Sequence, residues 1–179
     1  MADIPIELKC LKDYSGYPEV IEDGKTFEEN ARKKARKYFK FAGIPVFADD
    51  SGLVVPALGN EPGVRSARYA GEGADYNDNN QLLMSKIIDV PTDQRVGRFV
   101  CTICYIDEDR DEILTGISEG IILDELRGQE GFGYDPLFYV PELGKTFAEI
   151  SMDEKNRISH RGRAILKLKN FLKNEVLDK

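Results

Sequence analysis

Val96-Gly-Arg-Phe-Val-Cys-Thr-Ile-Cys-Tyr-Ile106 reads as a β-strand, rich in β-branched and aromatic residues. A second strand over about 113–123 comes after the charged turn Asp107 to Glu112, and the two make a long antiparallel ribbon. The strand also settles the cysteines. Cys101 and Cys104 have C-x-x-C spacing, but residues three apart on a strand point to opposite faces and cannot chelate one ion. Cys10 adds no second pair, and His160 is the only histidine. A structural zinc site needs four suitably spaced ligands. All three cysteines read as reduced, partly buried thiols.

Upstream of the ribbon, Tyr76 to Ile88 reads as a helix. Before it, Ser51 to Ala74 carries five glycines with Pro56 and Pro62, a connection long enough to point to function. Thr26 and Glu29 make a capping box, behind which Phe27, Ala31, Ala35, Tyr38 and Ala42 recur at helical spacing until Gly43. Pro45 to Ala48 opens a short buried strand. Near the start, Ile6 to Leu11 alternates apolar and polar and reads as a strand, and Tyr14 to Lys25 reads as loop. Downstream, Arg127 to Lys145 is irregular. A last helix from about Ser159 to Val176 has the apolar stripe Ala164, Ile165, Leu168, Phe171 and Leu172. The whole is an α/β pattern.

The chain has 179 residues, which fits one domain, and its 25 Lys+Arg against 32 Asp+Glu give a net charge of -7. An acidic chain has no global field to hold nucleic acid. No apolar run approaches the ~20 residues of a membrane span, and Met1 to Pro5 lacks the features of a secretory signal. These features point to a soluble cytoplasmic protein with no membrane partner.

Four stretches carry chemistry. In Phe47-Ala-Asp49-Asp50-Ser51-Gly52-Leu53, two carboxylates end an apolar strand, where α/β sheets bind ligands. Strand alternation stops both from aiming at one atom, so one faces the cleft and the other braces the turn. The competing reading is a capped surface turn. Glu19, Glu22 and Asp23 form an upstream acidic loop. Mg²⁺ is usually held by one or two carboxylates plus water and substrate phosphate, so this loop and Asp49-Asp50 together suffice. Alone, the loop reads as merely solvated.

Gly131-Phe-Gly-Tyr-Asp-Pro136 offers aromatics to stack on a flat ring, or a turn with Phe132 and Tyr134 plugged into the core. From Lys155 to Lys173 run seven Lys/Arg and no Asp/Glu. Ser159 reads as an N-cap there, placing His160 and Arg161 at the positive end of a helix that suits phosphate or an electron-rich base edge. The competing reading is a solvated basic helix face. Carboxylates for a metal, an aromatic-glycine loop for a ring and cations for phosphates point together to nucleotide hydrolysis or transfer. The phosphate loop G-x-x-x-x-G-K-[ST] is absent.

Thr26-Phe-Glu-Glu-Asn-Ala31, Ala48-Asp-Asp-Ser-Gly-Leu53, Pro62-Gly-Val-Arg-Ser-Ala-Arg-Tyr-Ala-Gly71, Phe132-Gly-Tyr-Asp-Pro136 and Ile158-Ser-His-Arg-Gly162 occur in that order. Together they resemble the inosine/xanthosine triphosphate pyrophosphatases, over about residues 11 to 172. The resemblance implies an elongated α/β domain with a central mixed β-sheet, flanking helices and a cleft between two lobes, in a homodimer. It implies hydrolysis of ITP, dITP and XTP to the monophosphate and pyrophosphate with Mg²⁺, cleansing the nucleotide pool. Carried over by motif, Asp50 is the catalytic and metal-linked carboxylate, with Ser51 beside the substrate. Phe132, Gly133, Tyr134 and Asp135 form the base loop, Lys155, His160 and Arg161 contact substrate, and Glu22, with Glu19 second, completes the metal site.

Family members begin with a buried strand and a Thr/Ser-x-Asn-x-x-Lys loop that enters a helix. Met1 to Ile6 aligns with the segment beyond that helix, so the resemblance implies one domain over 1–179 without the strand and phosphate loop. Two alternatives stand beside this: a pyrophosphatase for other modified nucleotides, and a catalytically silent nucleotide-binding or dimerisation module.

Overall fold

The structure, a computed structural model, describes residues 4–177. The opening Met1-Ala2-Asp3, read above as the start of a shortened N-terminus, lies outside them. The described residues build six strands, β1 (Val46–Val55), β2 (Glu61–Pro62), β3 (Val96–Ile106), β4 (Asp111–Ile122), β5 (Phe138–Val140) and β6 (Lys145–Thr146). Four α-helices flank them: α1 (Phe27–Ala42), α2 (Tyr76–Ile87), α3 (Met152–Ile158) and α4 (His160–Phe171).

The strands form one sheet in the order β2-β1-β3-β4-β5-β6. The α/β class, flanking helices and long ribbon are as the sequence indicates. All five ladders are antiparallel, so the parallel pairing that a mixed sheet would bring does not occur among the described residues. The ribbon turns at Asp107, whose carboxylate accepts from the Asp109 amide at 2.9 Å and pairs with Arg110 at 2.8 Å. This local carboxylate-to-backbone bond is what favours Asp in turns.

Strand alternation gives β3 two buried faces. Cys101, Ile103 and Tyr105 pack with Ala164 and Leu168 of α4 and with Leu172 just beyond it. Cys104 and Ile106 pack with Ala31 and Ala35 of α1. The two thiols therefore lie in separate cores, as their spacing requires. A third core gathers Leu53, Leu83, Ile87, Phe99, Phe138 and Phe147 beneath α2.

Thr26 caps α1 by accepting from the Glu29 amide at 3.1 Å, but the Glu29 carboxylate bonds the Lys25 amide, one residue before the expected partner. Gly43, at φ 65°, closes the helix. In α4, Ser159 accepts from the Gly162 amide at 3.1 Å, confirming the N-cap; a wider π-type turn over Leu172–Leu177 replaces the last turns expected.

Five readings change. Ile6 to Leu11 forms no ladder, because an alternating pattern becomes a strand only where a partner strand receives its hydrogen bonds. Cys10 is exposed. The stretch after Ser51 is largely ordered: β1 runs on to Val55, and short 3₁₀ turns span Pro56–Leu58 and Gly63–Arg68. Within 127–145, a 3₁₀ turn at Asp135–Leu137 leads into β5. Finally, α3 is unforeseen, although Ser151 and Glu154 form the box that caps it.

Candidate functional site

Asp49 and Asp50 do not end a strand. They sit in the middle of β1, opposite Ile103 and Thr102 of β3. The ladder from Val46 to Val54 carries the chain straight through Asp-Asp-Ser-Gly, since pairing to a long central strand satisfies the backbone whatever the side chains. Alternation then sends the two carboxylates to opposite faces, as expected.

Asp50 faces α1. Its carboxylate accepts from Asn30 Nδ2 at 3.0 Å, and Asn30 Oδ1 accepts from the Gly24 amide at 2.8 Å. A buried amide thus ties the acidic loop to the strand. Lys34, one helical turn beyond Asn30, stands 2.6 Å from Glu22 Oε2 and 3.5 Å from Asp50 Oδ1. Arg68 donates to the Glu22 carbonyl at 3.2 Å. The loop is pinned rather than merely solvated. Burial pushes the Asp50 carboxyl above the usual carboxylate range; the Asn30 bond and Lys34 pull it back, and nearby Glu22 adds to the rise. A raised carboxyl is suited to taking a proton.

Glu22 and Asp50 are the pair read from sequence as metal ligands, and the structure brings them together around one ammonium. Two carboxylates sharing a cation fit Mg²⁺, which fills its other positions with water and substrate phosphate. Among the described residues no three His, Cys, Asp or Glu side chains cluster as a ready-made cage. Glu19 is exposed and meets Lys37 only through its carbonyl, at 2.8 Å.

Asp49 and Ser51 face α4 and share Arg161. The guanidinium donates to Asp49 Oδ2 from Nε at 3.3 Å and from Nη2 at 3.0 Å, and to Ser51 Oγ from Nη2 at 2.8 Å. His160 is buried and lies flat on Phe99, ring centroids 4.7 Å apart. Burial, then Arg161 and Lys155, hold the imidazole down at about 3, so it is neutral at physiological pH. Its Nδ1 has no partner among the described residues.

The loop before β5 divides its aromatics. Tyr134 is the core plug, and its hydroxyl donates to the Ser66 carbonyl at 2.8 Å. Phe132 is 49% exposed and lies under the Lys155 ammonium, 4.5 Å from the ring centroid. Asp135 is buried, accepting from the Phe132 amide at 2.8 Å and from Lys155 Nζ at 2.5 Å. Gly133 offers its carbonyl to Asn80 Nδ2 at 2.9 Å.

Sequence reading missed four of these positions. Asn30 and Lys34 were visible as an i, i+4 pair on one face of α1. Asn80 carried no comparable signal. Ser66 lies in the Pro62 to Gly71 stretch, for which the residues alone indicated no role. It receives the Leu53 amide at 2.9 Å and donates to the Gly63 carbonyl at 2.6 Å, linking β1 to the aromatic loop through Tyr134. Gly52 makes room for it: a Cβ there would collide with Ser66 and stand 2.7 Å from the Gly63 carbonyl oxygen.

The family model described as "Ham1 family" matches residues 1–171. The chain belongs to the Ham1 family. It is 50% identical to the dITP/XTP pyrophosphatase of Geobacter sulfurreducens, over 94% of this chain and 85% of that protein. It is 52% identical to the dITP/XTP pyrophosphatase of Clostridium perfringens, over 97% and 88% respectively. Among solved structures, the HAM1 protein of Coxiella burnetii superposes with a TM-score of 0.91 at 41% identity, over 97% of this chain and 89% of that one. The Ham1 protein of Staphylococcus aureus gives 0.84 at 45% identity, over 88% and 81%. Ham1 membership, with relatives named dITP/XTP pyrophosphatase, agrees with the α/β architecture and with the family that the five motifs resemble.

Proposed function

We propose that this chain hydrolyses dITP, ITP and XTP to the nucleoside monophosphate and pyrophosphate; the name dITP/XTP pyrophosphatase that its relatives carry supports dITP and XTP, and the motif resemblance adds ITP. The observation that carries the reading is β1, which sets Asp50 beside Asn30 and Lys34 on one face and seats Arg161 of α4 against Asp49 and Ser51 on the other.

Asp50 takes a proton from a water whose oxygen bonds to the α-phosphorus. The bond from that phosphorus to the bridging oxygen breaks, and pyrophosphate leaves with the electron pair. Asn30 keeps one oxygen of Asp50 oriented, and Lys34 stands by to meet phosphate charge. Glu22 and Asp50 would hold Mg²⁺, which when bound neutralises phosphate charge. Phe132 offers its exposed face to the purine, held by Lys155 and Asp135. Arg161 offers donors to the 6-oxo group; adenine presents an amino group there and would leave them unpaired. The three free thiols suit a cytoplasmic setting. The homodimer and the single domain over 1–179 belong to the same proposal and rest on the family resemblance.

The test is incubation with dITP, XTP and dATP in Mg²⁺, assaying pyrophosphate separately from phosphate. Pyrophosphate from dITP and XTP, at least a hundredfold faster than from dATP, is expected. Equal turnover of dATP and dITP would refute the purine reading. No turnover would favour a silent binding module.

A further inference from the structure

The Asp49 carboxylate stands on the opposite face of β1 from Asp50 and takes no part in the chemistry proposed above. It engages Arg161 through both Nε and Nη2, and Ser51, two residues along the same face, engages Nη2 as well. A guanidinium has five N–H groups in one plane. Asp49 and Ser51 account for the one on Nε and the two on Nη2. The two on Nη1 meet no partner among the described residues.

Both ends of this contact are held firmly. Asp49 and Ser51 are paired to Ile103 and Cys101 in the middle of the ladder, where strand movement is most restricted. The Cys101 thiol, buried beneath, donates to Asp49 Oδ2 at 3.7 Å. Burial pushes that thiol up to about 12, which keeps its proton in place. Arg161 lies in the first turn of α4, where the Ser159 cap fixes the backbone. The pair is nevertheless open on one side, with side chains 44% and 41% exposed. A long, flexible side chain has thus been given one orientation, with its unused donor edge facing a direction set by the strand.

We propose that Asp49 is a positioning residue that sets purine selectivity, holding the Arg161 guanidinium so that Nη1 presents its donors to the 6-oxo group. It rests on the reading of Arg161 as the base contact. A freely rotating Arg161 still attracts the nucleotide as a charge, but it no longer favours an acceptor over a donor at that position. Loss of Asp49 therefore lowers turnover of 6-oxo purines and leaves turnover of 6-amino purines almost unchanged. Ser51 contributes the smaller share, through one hydrogen bond.

The test compares wild type, Asp49→Asn, Asp49→Ala, Arg161→Ala and the Asp49→Ala/Arg161→Ala double variant on dITP and dATP. For Asp49→Ala, kcat/KM on dITP should fall roughly 10- to 100-fold, mainly through KM, with dATP changed less than about 3-fold. Asp49→Asn, which keeps the shape and a weaker acceptor, should fall in between. In the Arg161→Ala background, removing Asp49 should cost nothing further on the dITP/dATP ratio. Thermal melting shows whether each variant is folded.

A wild-type dITP preference that survives Asp49→Ala would overturn the proposal while leaving the functional reading intact. Tighter dITP binding in Asp49→Ala would also overturn it, showing that Asp49 merely parks Arg161 away from substrate. A wild type that does not distinguish dITP from dATP would instead overturn the functional reading beneath it.

Discussion

Gly116→Ala should destabilise the protein and impair its site in one step. Gly116 lies in β4 opposite Cys101, where the strand passes under the first turn of α4. A Cβ added there would meet the His160 carbonyl oxygen and the Ala164 amide nitrogen well inside 3.0 Å, with Ala164 Cα at 3.1 Å. Ordinary Cβ contacts begin near 3.4 Å, and all three atoms are backbone, so no side chain can swing away.

Relief would require α4 to lift by about 1 Å or β4 to sink by as much. Strand propensity works the other way, favouring Ala over Gly by less than ~1 kcal/mol. Overpacking costs ~1–3 kcal/mol, so the clash wins, and a net loss of about 1–2 kcal/mol is expected. For a chain of this size that lowers Tm by roughly 3–6 °C. The first turn of α4 also carries Arg161, and a misplacement of about 1 Å can cost on the order of a hundredfold in rate. Urea unfolding with an unchanged m-value reads the first effect, and kcat/KM on dITP reads the second. A variant within ~0.5 kcal/mol of wild type, with unaltered kcat/KM, would show that α4 is not seated on Gly116.

Three further outcomes rest on buried groups. The folded His160 ring stays neutral where an unfolded histidine, near 6.5, takes up a proton, so its contribution is intact above about pH 6.5 and lost as pH falls toward 3. Between pH 7 and pH 5 wild type should lose about 2 kcal/mol more unfolding free energy than His160→Gln, and parallel curves for the two would contradict this. Lys155→Met strands the buried Asp135 carboxylate and should cost ~3–5 kcal/mol, whereas adding Asp135→Asn should recover much of it; a single variant no worse than the double would argue against the pair. At pH 8 the native protein should alkylate quickly at Cys10 alone, because burial pushes Cys101 and Cys104 up to about 12, while denaturant should release all three thiols. Equal labelling of all three in the native state would be the contrary result.

Much of the architecture was legible because local signals and tertiary demands agree. Thr26 and Gly43 bracket α1, and the Ser159 cap with a helical stripe marks α4. The ribbon announces itself through Val, Ile and aromatic residues around a charged turn. Alternation alone separated Cys101 from Cys104, and Asp49 from Asp50. Where reading failed, the missing information was a partner. Ile6 to Leu11 has a strand's pattern and no ladder. Asp-Asp-Ser-Gly looks like the end of a strand, yet β3 continues opposite and carries it onward.

The sequence by itself determined which residue types stand where along each element, and therefore the helices, the ribbon, the order of the motifs and the family they resemble. Tertiary structure decided how those residues act. Asp49 and Arg161 are 112 positions apart, Asn30 and Asp50 are 20 apart, and only folding makes either pair a contact. Proton affinity is decided there too: the burial that raises Asp50 and the burial that silences His160 come from neighbours drawn from other elements. Hydrogen-bond geometry and desolvation depend on distance in space, and a linear pattern specifies distance only over the few residues of a single helix turn or strand pair.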